Sequence, residues 1–159
     1  MAKPDQDVIV FIGDGSYLLA NSDIYSSVIY DKKLIIVVCD NGGHMVINRL
    51  QLAKGGKEYI CNLRAARASN LQFVDFESHA KSMGANAETV TSTSDLEAAF
   101  LRAKKSDKTY VISVKTDGYE WLEGTSFWES PTSEIHTTEG NKSAYSDFIE
   151  GKRKQRKGI

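Results

Sequence analysis

Two short, uninterrupted apolar runs limit the folds that are open to this chain. Residues 8–12 (VIVFI) and residues 34–39 (LIIVVC) carry no charged side chain, and each run ends at a glycine-rich loop. A strand that is apolar at every position is typical of a parallel sheet covered on both faces. A similar run at residues 110–114 and a short candidate at residues 88–90 predict two further strands.

The segments between these runs have helical spacing. Apolar side chains recur three and four positions apart in four segments, residues 17–30, 45–52, 75–83 and 94–105. In the last of these, Ser94 and Glu97 have the spacing of a capping box, which predicts a helix that begins at Ser94. Strands that alternate with helices predict a three-layer α/β/α fold with a mostly parallel sheet.

The lack of periodicity in one segment and the length of the chain support two further predictions, a long loop and a single domain. Residues 53–71 show no clear period, which predicts a long loop and a candidate lid. At 159 residues the chain is predicted to be a single domain, residues 1–159, with residues 116–159 as an irregular C-terminal extension.

Charge and cysteine content exclude some classes of function. The net charge is -1, so the chain as a whole offers no electrostatic case for nucleic acid or an anionic membrane as a partner. No apolar run approaches the roughly 18 residues that span a bilayer, and the first residues lack the apolar centre of a signal peptide. Cys39 and Cys61 have no metal-binding spacing. We therefore predict a soluble, cytoplasmic protein.

Two loops carry the candidate functional residues. Gly13-Asp14-Gly15-Ser16 follows the first apolar run, and residues 40–43 (DNGG) follow the second. The carboxyl ends of parallel strands meet at one edge of a sheet, where ligands bind. Glycines let backbone N–H groups approach a phosphate, and a hydroxyl can donate to it. The pair of loops therefore predicts a site for a diphosphate.

A diphosphate also needs a cation. Mg²⁺ prefers oxygen ligands, and the carboxylate of Asp14, the amide oxygen of Asn41 and one loop carbonyl are candidates. A lone Gly-Asp-Gly is a common turn, but a second loop with an asparagine after the next strand favours phosphate binding. The pattern is not the dinucleotide fingerprint, because Leu18 stands where that motif has its third glycine.

The spacing of the two loops resembles a known family motif. Gly13-Asp14-Gly15, 25 intervening residues and then Asn41 resemble the thiamine-diphosphate motif of the superfamily that includes acetolactate synthases and pyruvate decarboxylases. Within that group the chain is most similar to the carboxyl-terminal portion of the trihydroxycyclohexane-dione hydrolases of inositol catabolism. The similar stretches are residues 13–19, 38–43, 46–51, 116–118 and 154–159.

The resemblance implies two cofactors, thiamine diphosphate and Mg²⁺, and a role for each residue of the motif. It implies that Asp14, Asn41 and the backbone carbonyl of Gly43 ligate Mg²⁺. It further implies cofactor contacts from the two loops, with the segment through His44 and Met45 closing over the diphosphate; these residues are Gly13, Asp14, Gly15, Ser16, Asn41, Gly43, His44 and Met45. His44 is also a candidate base, although a histidine in a glycine loop is more often a surface residue.

The resemblance also implies that part of the enzyme lies elsewhere. The glutamate that activates the cofactor belongs to an amino-terminal domain of a partner subunit, and no residue of this chain matches it, so no catalytic residue is predicted here. Family members place another strand and a helix before the motif strand, whereas only seven residues precede Val8. We predict that the partners of this chain are the missing amino-terminal domains of the same enzyme and a small-molecule substrate, and that it forms a homo-oligomer. We also predict that the isolated chain binds cofactor weakly and is inactive.

Two alternatives stay open. The chain could be the diphosphate-binding part of another thiamine-dependent lyase or carboligase, such as an acetolactate synthase-like enzyme or an oxidative decarboxylase. It could also be a non-catalytic module of the same fold that only binds or assembles. Substrate choice in this superfamily is set largely by residues on other domains, so the residues of this chain do not decide between these functions.

Overall fold

The protein is described by a computed structural model that covers residues 6–121 and 131–155. Its strands are β1 (Ile9–Gly13), β2 (Ile35–Asp40), β3 (Asn86–Val90) and β4 (Tyr110–Lys115). Its α-helices are α1 (Asp14–Leu19), α2 (Ser22–Ile29), α3 (Met45–Ala53), α4 (Phe76–Ser82), α5 (Thr93–Lys105) and α6 (Glu139–Lys154). None of the helices in these two ranges is long and apolar enough to cross a membrane.

The chain divides into two compact units. The first comprises Met1–His44 and Ala68–Asp117, and the second comprises Met45–Arg67 and Gly118–Ile159. The first unit holds all four strands together with α1, α2, α4 and α5. The expectation of a single domain stays a prediction.

The four strands form one parallel sheet in the order β1-β2-β4-β3. In its register, Phe11 of β1 stands beside Val37 of β2, which stands beside Ile112 of β4. Successive strands are joined through helices, as a parallel sheet requires. The parallel α/β fold predicted from the apolar runs is thereby confirmed.

Both faces of the sheet are covered in its centre, which explains why β2 has no polar side chain before its last residues. On the first face, Ile36 and Val38 pack with Tyr17 of α1, Ile24 of α2 and Phe76 of α4. On the second face the core residues come from β2, β3, β4 and α5, and they are Ile35, Val90, Ile112, Ala99 and Ala103. Alternate residues of a strand point to opposite faces, so a strand covered on both sides is apolar throughout.

A break between two helices and the cap of α5 differ from the sequence prediction. The predicted helix over residues 17–30 is two helices, because the side-chain amide of Asn21 donates to the carbonyl oxygen of Leu18 at 2.8 Å and occupies an acceptor at the end of α1. Helix α5 begins at Thr93, one residue before the predicted start at Ser94, because the Ser92 hydroxyl caps it by accepting from the Asp95 N–H at 3.1 Å.

The second unit contains a helix that the sequence analysis did not predict. Helix α6 lies in the segment expected to be an irregular extension, and the Thr138 hydroxyl caps it by accepting from the Asn141 N–H at 3.2 Å. Its first turn packs against the turn at Gly55, where φ is +75° and an added Cβ would lie 2.3 Å from the Gly140 carbonyl group. The predicted loop over residues 53–71 contains one 3-10 turn, Leu63–Ala65.

Candidate functional site

The two glycine-rich loops lie side by side at the carboxyl ends of β1 and β2. Gly13 is the last residue of β1 and pairs with Cys39 of β2, so the residues that follow each strand are neighbours. Asp14 begins α1 and is only 3 % exposed. Its Oδ2 accepts the N–H of Gly42 at 3.0 Å and the N–H of Gly43 at 2.6 Å. The structure therefore brings the aspartate of the first loop onto the backbone of the second.

Glycine is required in the second loop by its backbone conformation. Gly42 has φ of 88° and Gly43 has φ of 137°, both in the region that side-chain-bearing residues rarely adopt. This conformation turns two successive N–H groups toward the carboxylate of Asp14. Gly42 and Gly43 therefore allow the backbone conformation that the loop needs to donate both N–H groups to Asp14.

The side-chain amide of Asn41 lies between two oxygen atoms. With its NH₂ group turned toward them, it donates to Oδ1 of Asp14 at 3.1 Å and to the carbonyl oxygen of Gly43 at 3.0 Å. Rotation of the amide by half a turn puts the Asn41 oxygen in that place instead. The three residues predicted to ligate a metal therefore converge on one point of the loop pair.

This arrangement fits Mg²⁺. An octahedral ion with ligands at roughly 2.0 to 2.1 Å places neighbouring ligand oxygens about 2.9 Å apart, close to the 3.0 and 3.1 Å that separate the Asn41 amide from its two neighbours. A carboxylate, an amide oxygen and a backbone carbonyl are hard oxygen donors of the kind that Mg²⁺ selects. No group of three or more His, Cys, Asp or Glu side chains among residues 6–121 and 131–155 is arranged to hold a metal. The donor set favours Mg²⁺ over zinc or another soft ion.

The electrostatics of Asp14 also favour a bound cation. Burial raises the pKa of the Asp14 carboxyl above its ordinary value, and the nearby charge of Asp40 raises it further. The N–H groups of Gly43, Gly15 and Gly42 lower it and oppose that effect. Lys115 at the end of β4 forms an ion pair with Asp40 and so neutralises the second carboxylate. Asp14 is left as a buried acid that a cation would stabilise in its charged form.

His44 packs directly on the first loop. A Cβ built on Gly15 would lie 2.5 Å from both Cε1 and Nδ1 of the His44 ring, so the absence of a side chain at Gly15 makes room for the imidazole. His44 itself is exposed. The contact holds the end of the second loop against the start of α1.

Three further residues were predicted to contact the cofactor, namely Gly13, Ser16 and Met45. Gly13 has no atom within 4 Å of the position of an added Cβ, and Ser16 is exposed on α1. Met45 begins α3, which belongs to the second unit. The cofactor roles of these three residues stay predictions, as do the cofactor and metal roles of Asp14, Gly15, Asn41, Gly43 and His44.

Two features of the site were not predicted from the sequence. One is the N–H of Gly42 as a partner of Asp14, and the other is the ion pair between Asp40 and Lys115. An acidic residue that ends a buried strand is the signal for the second, because a buried carboxylate needs a partner. Its partner is 75 positions away along the chain, and only the pairing of β2 with β4 brings the two together.

A family profile and several curated proteins match this chain. The profile described as "Thiamine pyrophosphate enzyme, C-terminal TPP binding domain" matches residues 1–114. A 3D-(3,5/4)-trihydroxycyclohexane-1,2-dione hydrolase of Halalkalibacterium halodurans is 34% identical over 151 residues, which cover 91% of this chain and 23% of that protein. The hydrolase of the same name from Bacillus subtilis is 32% identical over 151 residues, with the same coverage of both proteins.

A solved structure has the same fold. The thiamine diphosphate-dependent 4-hydroxybenzoylformate decarboxylase of Rhodococcus jostii superposes with a TM-score of 0.60 and 26% identity, over 73% of this chain and 21% of that one. A benzoylformate decarboxylase from Polynucleobacter necessarius also has a TM-score of 0.60, and at 22% identity it supports the fold alone. The chain thus spans about a quarter of the length of the curated relatives that it matches.

Proposed function

Because the chain belongs to the thiamine pyrophosphate enzymes, as their C-terminal TPP-binding domain, we propose that its two glycine-rich loops hold Mg²⁺ and the diphosphate of thiamine diphosphate. The observation that carries this proposal is the convergence of Asp14 Oδ1, the Asn41 amide and the Gly43 carbonyl oxygen at spacings of 3.0 to 3.1 Å. Three oxygen donors at one edge of a parallel sheet form half of a magnesium coordination shell, and phosphate oxygens and water can supply the rest.

Each residue of the site has a distinct task in this proposal. Asp14 supplies the negative charge that attracts the ion, and its bonds to the N–H groups of Gly42 and Gly43 orient its free oxygen toward the Asn41 amide. In this proposal Asn41 turns its amide oxygen to the metal, and Gly15 and Ser16 contact the diphosphate. His44, packed on Gly15, holds the second loop over the first. These residues would hold thiamine diphosphate, which would supply a nucleophilic carbon for reaction with a substrate carbonyl.

We further propose that the complete enzyme is a hydrolase that breaks a C–C bond of a cyclic 1,2-diketone in inositol catabolism. The support is that the matched relatives are hydrolases of a cyclic 1,2-dione and are about one third identical to this chain over most of its length. The chain spans only 23% of those relatives, so the group that activates the cofactor and most substrate contacts belong to the rest of the enzyme. The isolated chain is inactive in this proposal.

The proposal includes partners and a compartment. The partners are the amino-terminal domains of the same enzyme and a small-molecule substrate, and the assembled enzyme is a homo-oligomer. Free Cys39 and Cys61 suit the reducing cytoplasm, because neither is in a disulfide. Self-association of the isolated chain is supported by exposed apolar side chains on β1, of which Phe11 is 70% exposed.

Calorimetry with the reconstituted enzyme tests the metal assignment. Thiamine diphosphate is titrated, with and without Mg²⁺, into this chain mixed with the unmatched amino-terminal part of the Halalkalibacterium halodurans relative. We expect Mg²⁺-dependent binding that is lost in Asp14→Ala and Asn41→Ala. The control is Asp107→Ala. Asp107 is exposed and lies just before β4, at the amino-terminal ends of the strands and so at the opposite end of the sheet from the two loops. Unchanged cofactor binding by both site variants would overturn the assignment.

A further inference from the structure

A second carboxylate lies beside the two glycine-rich loops in the first unit. Asp40 is the last residue of β2, directly before Asn41, and it is only 6% exposed. Alternate residues of a strand share a face, so Asp40 lies on the first face of the sheet with Ile36 and Val38. Helix α1, which begins at Asp14, packs on that same face. The two buried carboxylates therefore lie at the same end and on the same face of the sheet.

Lys115 supplies the charge that balances Asp40. The two residues are partners in the register of β2 and β4, and the N–H of Thr116 donates to the carbonyl oxygen of Asp40 at 3.0 Å. These backbone contacts hold the two strand ends together, and the ammonium group of Lys115 pairs with Oδ2 of Asp40. The side chain of Lys115 is 60% exposed, so it can be replaced without opening the core.

The charge of Asp40 acts on Asp14. Burial is the main cause that raises the pKa of the Asp14 carboxyl, and the negative charge of Asp40 raises it further. Two carboxylates and the ammonium group of Lys115 leave this end of the sheet with one net negative charge. Without the ammonium group, the two carboxylates would balance the charge of a divalent cation by themselves.

This balance decides how strongly the loops attract a divalent cation. The attraction is proportional to the product of the charges, and water and salt weaken it least where the charges are buried. A pair of uncompensated buried carboxylates would hold the cation without further ligands of negative charge. With one carboxylate neutralised, the loops leave that charge to be supplied by other ligands, and phosphate oxygens can supply it.

We infer that Lys115 is a specificity-determining residue of the loop pair, which by neutralising Asp40 keeps the loops from holding a divalent cation without a diphosphate. Lys115 acts through Asp40 and is not one of the three residues that supply the metal-binding oxygens. The inference rests on the proposed function for the identity of the cation and of the diphosphate.

Electron paramagnetic resonance of Mn²⁺, titrated into the full chain without thiamine diphosphate, tests the role of Lys115. We expect Lys115→Met to bind Mn²⁺ at least about tenfold more tightly than the wild type, because one positive charge is removed from beside the site. The double variant Asp40→Asn with Lys115→Met should return to the wild-type affinity, since it restores the wild-type net charge. The matched control is Lys108→Met, because Lys108 is an exposed lysine just before β4, at the other end of the same strand.

A second variant separates the charge from the stability of the fold. Lys115→Met leaves a buried carboxylate without its partner, which destabilises a protein. Lys115→Gln makes the same change of charge, and its side-chain amide can still donate to Asp40. Circular dichroism identifies the variants that keep the wild-type fold. An ion pair with a purely structural role would reduce stability in these variants and would not increase the affinity for Mn²⁺.

Three results would overturn the inference. The first is equal Mn²⁺ affinity of the wild type and of the folded variants Lys115→Met and Lys115→Gln. The second is an equal gain in Lys108→Met, since the total charge of the chain would then be the cause. The third is a gain that persists in the double variant. Because this titration contains no thiamine diphosphate, failure of the proposed cofactor binding would be seen in the calorimetric test and not here.

Discussion

Asp14 has a structural role that can be measured separately from metal binding. In Asp14→Ala, the N–H groups of Gly42 and Gly43 lose their buried acceptor. Each unpaired buried donor costs about 1–3 kcal/mol, so two cost about 2–6 kcal/mol. Burial of the charged Asp14 carboxylate is itself unfavourable, as the raised pKa shows. Its removal in Asp14→Ala therefore offsets part of this loss of stability. We expect the free energy of unfolding to fall by about 2–4 kcal/mol.

Asp14→Asn is the matched variant. An asparagine at this position retains one side-chain oxygen, which can accept from both glycine N–H groups, but it has no negative charge for a metal. We expect its free energy of unfolding to stay within about 1 kcal/mol of the wild type. Urea unfolding followed by circular dichroism, in the presence of a chelator, measures both variants without any contribution from bound metal.

The comparison can refute the reasoning in either direction. If Asp14→Ala unfolds at the same urea concentration as the wild type, the two bonds to the glycine loop do not stabilise the fold. If Asp14→Asn is destabilised as strongly as Asp14→Ala, the buried charge is the stabilising feature and the hydrogen bonds are not.

Two further predictions concern the glycines and the edge of the sheet. Gly15→Ala should displace the His44 ring, seen as a shift of its NMR signals, because an added Cβ lies 2.5 Å from the imidazole, whereas Gly13→Ala should leave them unchanged because nothing lies within 4 Å. Glu88→Gln should be less stable than the wild type at pH 7, and the difference should vanish in acid, as urea unfolding across pH will measure. The bond from Arg102 lowers the pKa of Glu88 below its ordinary 4.5, so the stabilisation is present above that pH and is lost as the pH falls through the lower value in the folded protein.

Much of the fold could be predicted because its signals are local. A strand buried on both faces is apolar at nearly every position, so β2 is visible as a continuous run and β4 as a run interrupted only by Ser113. The run of β1 also marks a strand, although Ile9 and Phe11 on one of its faces are exposed. The glycines after β1 and β2 are visible too, since the loop at Gly42 and Gly43 needs positive φ. The approach of the two loops follows from the parallel pairing of their strands.

The features that could not be predicted depend on contacts distant in sequence or on single side chains. The break between α1 and α2 depends on one bond from Asn21, and the cap of α5 on the choice between two nearby serines. The pair of Asp40 with Lys115 requires the strand order, which no local pattern contains. Helix α6 has polar residues at most positions, so its period is weak in the sequence.

The central claim is that Asp14, Asn41 and Gly43 hold the metal of a thiamine diphosphate site. The most direct measurement is electron paramagnetic resonance of Mn²⁺, used in place of Mg²⁺, with thiamine diphosphate and the reconstituted enzyme. We predict about one bound Mn²⁺ per chain that requires thiamine diphosphate, and none in Asp14→Asn. Binding of one Mn²⁺ by Asp14→Asn with unchanged affinity would contradict the account.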